Sequence, residues 1–198
     1  MGIDSDYIYG QTPLEENEKE GLLIETITTR EELHEFEQLN IENAIQWTLL
    51  KKFNFEYLLT EQFVKELHYK MFCDVWSWAG HFRTTDHHPG VAKDMIGTSL
   101  KQLIDNFKYW IEDILYQEDE AVIRFKHEIL KIRCFPKGNG RHSRLIADVL
   151  RSSIFGLPPF TWNEDVLSKY IEAKSTYTPP IKEVDKDDNQ LLIDFSNS

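Results

Sequence analysis

One loop constrains this chain more than any other feature, the run Phe135-Pro136-Lys137-Gly138-Asn139-Gly140-Arg141-His142-Ser143-Arg144. Two glycines around an asparagine predict a tight turn whose backbone can approach a ligand closely. Apolar residues at helical spacing then predict that the loop opens into a helix: Leu145, Ile146, Val149, Leu150 and Ile154. A helix start offers unpaired N–H groups and a positive dipole end. Arg141 and Arg144 share one helix face there, where both can bind a phosphate. The residues alone predict a phosphate-binding loop.

The charge balance excludes several classes of partner. The 198 residues carry a formal net charge of −12, which argues against broad nucleic-acid binding and against docking on anionic membranes. No apolar run approaches the roughly 20 residues of a membrane span, and no signal-peptide pattern begins the chain. Cys73 and Cys134 are too few for a disulfide framework. We expect a soluble, cytoplasmic protein, and the sequence does not indicate its oligomeric state.

Helical periodicity runs through most of the chain and predicts an all-α fold. We expect residues 1–25 to form an extended acidic lead-in and residues 26–198 to form a single domain. A short β-hairpin-like flap is predicted at about 83–97, because Asp86-His87-His88-Pro89-Gly90 is typical of a turn. Residues 91–96 are predicted to return as its second strand. The sequence thus predicts a helical bundle with one small flap.

Capping signals predict where the helices begin and end. Thr29 with Glu32 predicts a capping box for a first helix that ends at about Leu50. The other predicted boundaries are a cap at Thr60, a helix end near Gly80, a capping box at Ser99 and Gln102, an acidic helix start at 118–120, the loop and helix 133–155, a cap at Asn163 and a short closing helix at 191–195.

The loop also resembles the signature of the Fic (Fido) domain family, His-x-Phe-x-(Asp/Glu)-Gly-Asn-Gly-Arg-x-x-Arg. The matching positions are Phe135, Gly138, Asn139, Gly140, Arg141 and Arg144. Residues 78–86 are similar to the segment that leads into the Fic flap, and 125–132 and 139–148 are similar to the helices before and after the signature. With the run 10–14, the sequence is most similar to the branch called mobile mystery protein B. The resemblance covers about residues 8–196.

This resemblance implies a Fic-type helical bundle and the transfer of AMP from ATP to a protein hydroxyl. It gives Gly138, Asn139 and Gly140 the role of holding phosphates. It gives Arg141 the β-phosphate region and Arg144 the terminal phosphate. The flap is expected to hold a target protein by strand addition. Gly140 disfavours the kinase-like toxin branch, which has lysine at that position.

Two positions depart from the signature. Arg133 stands where the family has the histidine that takes a proton from the target hydroxyl, and a guanidinium stays protonated near neutral pH. Lys137 stands at the acidic position that helps to hold Mg²⁺, an ion that requires oxygen ligands. Lys137 adds positive charge beside the loop and joins the predicted phosphate ligands, whereas Mg²⁺ is disfavoured. The candidate catalytic positions are Arg133, Asn139 and Arg141.

These departures lead to two functional hypotheses. The first is a protein that resembles Fic AMP transferases but whose activity is weak or lost. The alternative is a non-catalytic module that binds a nucleotide or phosphate and acts through regulation or protein interaction. A purely structural loop is disfavoured, because two arginines at a helix start oppose the dipole unless an anion is bound there.

Glu42 on the first helix is a candidate inhibitory residue. Many Fic proteins carry a (Ser/Thr)-x-x-x-Glu-(Gly/Asn) helix whose glutamate pairs with the second arginine of the signature. Glu42 and Asn43 fit the end of that pattern, although Gln38 occupies the Ser/Thr position. A solvated glutamate is the alternative.

The histidines near the loop leave further alternatives. His127 is either packed or a substitute for the missing base, and His142 sits in the first turn of the helix. His87 and His88 either approach a target or lie on a solvated flap tip. A metal cluster of His127, Cys134 and His142 matches no established zinc spacing, and no metal site is predicted.

Overall fold

The computed structural model of the protein describes residue 14 and residues 19–162. Six α-helices and no strand occur in that part, which confirms the predicted all-α fold. The helices are α1 Arg30–Leu50, α2 Phe55–Leu58, α3 Glu61–Phe72, α4 Ile96–Glu112, α5 Glu118–Ile132 and α6 Asn139–Phe155, with a 3₁₀ turn Lys93–Met95 before α4. The predictions for residues 1–13 and 15–18 of the lead-in, for the cap at Asn163 and for the helix at 191–195 lie outside the described residues.

The described residues divide into two compact units, one that contains residues 19–52 and 64–82 and one that contains residues 53–63 and 83–162. The single domain over 26–198 stays a prediction. No helix in the described part of the chain is long and apolar enough to cross a membrane.

The first unit contains α1 and residues 64–72 of α3. The predicted capping box at Thr29 is confirmed, since its hydroxyl accepts from the Glu32 N–H and the Glu32 carboxylate accepts from the Thr29 N–H. On the buried face of α1, the carboxylate of Glu37 accepts from Trp76 Nε1 at 2.6 Å. Polar side chains of α1 thereby fix the turns that follow α3.

The predicted cap of the next helix is also confirmed, because Thr60 Oγ1 accepts from the Phe63 N–H at 3.1 Å. The predicted end near Gly80 is wrong, because α3 ends at Phe72. Asn40 Oδ1 accepts from the backbone N–H of Asp74 at 2.9 Å. That N–H is therefore engaged outside α3, and the chain continues through turns to Gly80, whose φ is +74°.

The second unit is built around α4, α5 and α6. Helix α5 packs against both neighbours, and Phe107 of α4 meets Phe125 of α5 with ring centroids 4.9 Å apart. The acidic start of α5 is confirmed, since Glu118, Asp119 and Glu120 occupy its first turn. The capping box predicted at Ser99 and Gln102 is wrong, because α4 already begins at Ile96 and has no side-chain cap.

The flap region lies in the second unit, and its predicted second strand is wrong. Residues 83–92 form an irregular loop, and residues 93–96 pass through the 3₁₀ turn into α4. Side chains satisfy the backbone there, as Asp86 Oδ1 accepts from the Lys93 N–H at 2.8 Å. The Arg83 guanidinium donates to the carbonyls of Thr85 and Val91. These groups replace the cross-strand hydrogen bonds that a hairpin needs.

Candidate functional site

The loop of the candidate site connects α5 to α6 by a tight reversal. Helix α5 ends at Arg133, which adopts the left-handed conformation with φ 51° and donates its N–H to the Ile129 carbonyl at 3.3 Å. The next two side chains, Cys134 and Phe135, are buried. Their burial anchors the middle of the loop, whereas the side chain of Lys137 after them is exposed.

The side chain of Asn139 closes this loop. Its Oδ1 accepts from the Phe135 N–H at 3.0 Å, and its Nδ2 donates to the Phe135 carbonyl at 2.7 Å. A side-chain amide that pairs with one peptide in both directions acts like a rung of a sheet. Asn139 therefore holds the loop shut, and its contact with a phosphate stays a prediction.

The start of α6 has the features of an anion site. Gly138 takes the N-cap position with φ 76°, a conformation that suits glycine, and no side chain caps the helix. A Cβ on Gly140 would meet no atom within 4 Å, so open space lies beside the first turn. The first helical hydrogen bond runs from the His142 N–H to the Gly138 carbonyl at 2.9 Å. An anion beside Gly140 would face the positive end of the α6 dipole.

The charges of the loop have one sign. Arg133, Lys137, Arg141 and Arg144 are cationic, and the run 133–144 contains no Asp or Glu, although the whole chain carries −12. Local positive charge in an acidic protein favours an anionic ligand at this place.

The same residues do not fit Mg²⁺. The ion prefers oxygen ligands, usually one or two carboxylates with substrate phosphates. Lys137 supplies an ammonium in place of a carboxylate, and the loop has no other acid. Across residues 19–162, no group of three or more His, Cys, Asp or Glu could hold a metal ion, so the alternative of a His127, Cys134 and His142 cluster is wrong.

Two of the histidines are structural. His142 is 1% exposed and its ring meets Phe135 edge-on at 5.1 Å. His127 is 3% exposed, with Nδ1 3.6 Å from Glu128 Oε1 and with Nε2 buried without a hydrogen-bond partner. Hydrogen bonding from His127 is the main cause that lowers the pKa of Glu128.

Two further charged residues, Lys126 of α5 and Asp148 of α6, were not predicted from the sequence. Lys126 is 4% exposed, and its Nζ lies 5.4 Å from the centroid of the Trp162 ring. Trp162 Nε1 donates to Asp148 Oδ2 at 2.9 Å, and the Phe160 N–H donates to Asp148 Oδ1 at 3.0 Å. The available signal was a lysine on the apolar stripe of α5 formed by Val122, Phe125 and Ile129.

Burial shifts the pKa of both charged groups. It lowers the pKa of Lys126 to about 8, and the positive charge of Arg144 acts in the same direction. It raises the pKa of Asp148 to about 6, although the hydrogen bonds from Trp162 and Phe160 oppose the shift. Arg144 influences both groups, so the second arginine of the loop lies in their field.

The sequence also did not predict the buried guanidinium of Arg83. It donates from Nε to the Arg133 carbonyl at 2.6 Å and from Nη1 to the Thr85 carbonyl at 2.7 Å. Its Nη2 donates to the carbonyls of Val91 and Ile132, the latter at 3.3 Å. The backbone N–H of Arg83 also donates to the Cys134 carbonyl at 3.0 Å. Arg83 therefore joins the flap region to the loop.

Glu42 is exposed on α1, where Oε1 accepts from Gln38 Nε2 at 3.1 Å. Its role as an inhibitory partner of Arg144 stays a prediction.

Comparison with known proteins agrees with this architecture. Residues 58–150 match the sequence model of the Fic/DOC family. Fic-1 of C. elegans (residues 134–508) has a TM-score of 0.65 and 18% identity over 90% of this chain and 51% of that one. Bep8 from Bartonella sp. 1-1C has a TM-score of 0.59 and 15% identity over 76% of this chain and 79% of that one. BepC from Bartonella tribocorum, solved with bound AMPPNP, has a TM-score of 0.53 and 17% identity over 68% and 78%.

These likenesses establish the helical fold alone, because the identities are low. The chain spans about half of the C. elegans segment. Comparison with curated proteins returns no match.

Proposed function

Residues 58–150 of this chain belong to the Fic/DOC family, and we propose on that basis that the loop 133–144 binds the phosphates of ATP or a related nucleotide. The observation that carries the proposal is the start of α6, which has a left-handed Gly138, no side-chain cap and two arginines in its first turns. Such a helix start is a ready anion site. BepC, which shares the fold, was solved with AMPPNP.

The proposal assigns a role to each residue of the loop. Backbone groups of Gly138, Asn139 and Gly140 bind the phosphates, and the Asn139 side chain keeps the loop in shape. Arg141 binds the β-phosphate region and Arg144 binds the terminal phosphate. Lys137 makes the proposed site independent of metal, because its ammonium supplies the positive charge that Mg²⁺ supplies in sites with a carboxylate at this position.

The reaction proposed for this site is a weak transfer of AMP to a protein hydroxyl. Arg133 cannot accept the proton of the hydroxyl, because guanidinium does not deprotonate in proteins. General-base help contributes typically about 10²–10⁴ in rate, so loss of the signature histidine slows transfer by up to a factor of that order. The second candidate function is a module that binds the nucleotide without transfer, which the cations at 133 and 137 favour.

The flap region 83–97 is the proposed place for a protein target. It adjoins the loop through Arg83, so a segment bound there lies near the nucleotide. We place the reaction in the cytoplasm, with no nucleic acid or membrane involved.

A transfer assay tests the proposal. The full chain, Arg133→His and the double variant Arg133→His/Lys137→Asp are incubated with ATP labelled at the α-phosphate, Mg²⁺ and cell extract. Arg144→Gln is the negative control. Label transfer by the wild type supports the weak enzyme, and transfer only by the Arg133→His variants supports the binding module. If none of these three proteins transfers label, AMP transfer is excluded as the function of this protein.

A further inference from the structure

The proposed transfer needs a group that accepts the hydroxyl proton, and Arg133 cannot be that group. Several titratable side chains of the second unit lie near the loop. His142 and His127 are buried against Phe135 and Glu128, and neither is accessible to a target hydroxyl. Asp148 already accepts two hydrogen bonds from the segment after α6. In the flap region Asp86 accepts from the Lys93 N–H, which leaves His87 and the exposed His88.

The backbone of His87 and the side chain of Arg133 both adjoin Gly90. A Cβ built on Gly90 would be 2.9 Å from the His87 carbonyl oxygen and 3.6 Å from the Arg133 Cβ. Gly90 has φ +156° and also faces Arg83 Nη2, at 3.3 Å. Because Gly90 has no side chain, the backbone at His87 can approach the end of α5 closely.

The His87 side chain is oriented and partly accessible. It is half-buried, whereas the adjacent His88 is exposed. Its Nε2 lies 3.4 Å from Thr85 Oγ1. When Nε2–H donates to this hydroxyl, Nδ1 is the ring nitrogen that carries the lone pair.

We propose that His87 is the proton acceptor for the weak AMP transfer of this site. In that step the oxygen of a protein hydroxyl attacks the α-phosphorus of ATP, and a new O–P bond forms. The bond from the α-phosphorus to the bridging oxygen of the β-phosphate breaks, and pyrophosphate leaves with that electron pair. The hydroxyl proton passes to the neutral imidazole of His87, and no oxidation or reduction occurs.

The surroundings of His87 suit this role. Desolvation, Arg83 and Arg133 lower the pKa of His87, and Asp86 alone opposes them, so the surroundings favour the neutral imidazole that can accept a proton. Two arginines disfavour the imidazolium that forms. The negative charge of a triphosphate in the loop offsets that repulsion at the moment of transfer.

This inference rests on the proposed function, and a matched pair of variants tests it. His87→Gln retains a group that can bond Thr85, and His88→Gln is the control in the next residue. Transfer from α-labelled ATP to cell extract is measured for both, together with calorimetric ATP binding and the melting temperature. His87→Gln is expected to lower the rate about 100-fold while ATP affinity stays within about twofold. His88→Gln is expected to match the wild type.

Two further readouts separate catalysis from structure. The wild-type rate is expected to fall as pH drops through the lowered pKa of His87, and the residual rate of His87→Gln to lack this dependence. In an Arg133→His background, His87→Gln is expected to lose little activity, because a second imidazole stands next to the loop. ATP binding with equal rates for His87→Gln and His88→Gln overturns this inference alone. ATP binding with no wild-type transfer overturns this inference and the proposed transfer, and leaves the nucleotide-binding module. Absence of ATP binding overturns the proposed function and the inference together.

Discussion

The Nε of Arg83 donates a hydrogen bond to the backbone carbonyl of Arg133 at 2.6 Å. This contact joins residues that are 50 positions apart in the chain, one in the flap region and one at the end of α5. Because Arg83 is 3% exposed, its charge is stabilised by carbonyl dipoles of the second unit. The geometry of the loop thus depends on a side chain outside the signature.

Replacing Arg83 by methionine is expected to destabilise the protein and loosen the flap region. The change leaves the carbonyls of Thr85, Val91, Ile132 and Arg133 without this donor. An unsatisfied carbonyl costs about 1–3 kcal/mol where it is buried, as at Ile132, and less where water can reach it, as at the exposed Thr85. Chemical denaturation and hydrogen exchange over residues 83–97 measure both effects. Arg30→Met, at an exposed arginine, is the control. Equal stabilities of the two variants would refute the role assigned to Arg83.

Asp148 is expected to make stability depend on pH between about 4 and 6. Its pKa is raised to about 6 in the fold, so the folded state holds a proton that the unfolded state loses at lower pH. The wild type should therefore lose stability relative to Asp148→Asn as pH rises through this window, by about 2–3 kcal/mol. Asp105→Asn, at an exposed position of α4, is the control for removal of one carboxylate. A wild type that gains stability over this range would contradict the assignment.

Lys126→Met is expected to stabilise the protein at pH 7. Within residues 19–162 the Lys126 ammonium has a tryptophan ring and no carboxylate beside it, and burial lowers its pKa to about 8. Removal of this desolvated charge should contribute about 1–3 kcal/mol, less the lost cation–π contact. The advantage should shrink as pH rises above about 8, since the wild-type lysine then becomes neutral. Urea denaturation at pH 7 and 9.5 checks this, with Lys101→Met as the exposed control.

The sequence predicted the helical fold and the loop because both depend on local signals. Capping at Thr29 and Thr60, the acidic start of α5 and the glycines at the start of α6 are short-range patterns, and the structure contains each of them. The structure shows that Asn139 holds the loop closed. The ligand-binding roles of the loop residues stay predictions.

The features that the sequence did not predict depend on contacts between distant residues. The flap lacks its second strand because Arg83 and Asp86 satisfy the backbone there. Helix α3 stops at Phe72 because Asn40, 34 residues earlier than Asp74, takes the Asp74 N–H. Such partners cannot be identified from helical periodicity, which reports only which face of a helix is apolar.

Glu42→Gly tests the inhibitory hypothesis. If Glu42 pairs with Arg144, its removal frees the arginine for a terminal phosphate, and ATP affinity should rise by about tenfold. Calorimetric titration of the variant measures the change, and Glu35→Gly on the same helix controls for the added glycine. Unchanged affinity would leave Glu42 as a solvated glutamate.

Calorimetric titration with ATP in the absence of divalent metal tests whether the loop 133–144 is a metal-independent nucleotide site. We expect saturable binding by the wild type without Mg²⁺, because Lys137 and the arginines supply the positive charge at the start of α6. We expect a loss of about 100-fold or more in affinity for Arg141→Gln/Arg144→Gln, since each charge-assisted contact is worth about 1.5–3 kcal/mol. Absence of binding by the wild type, or equal affinity of the double variant, would show that the loop is not such a site.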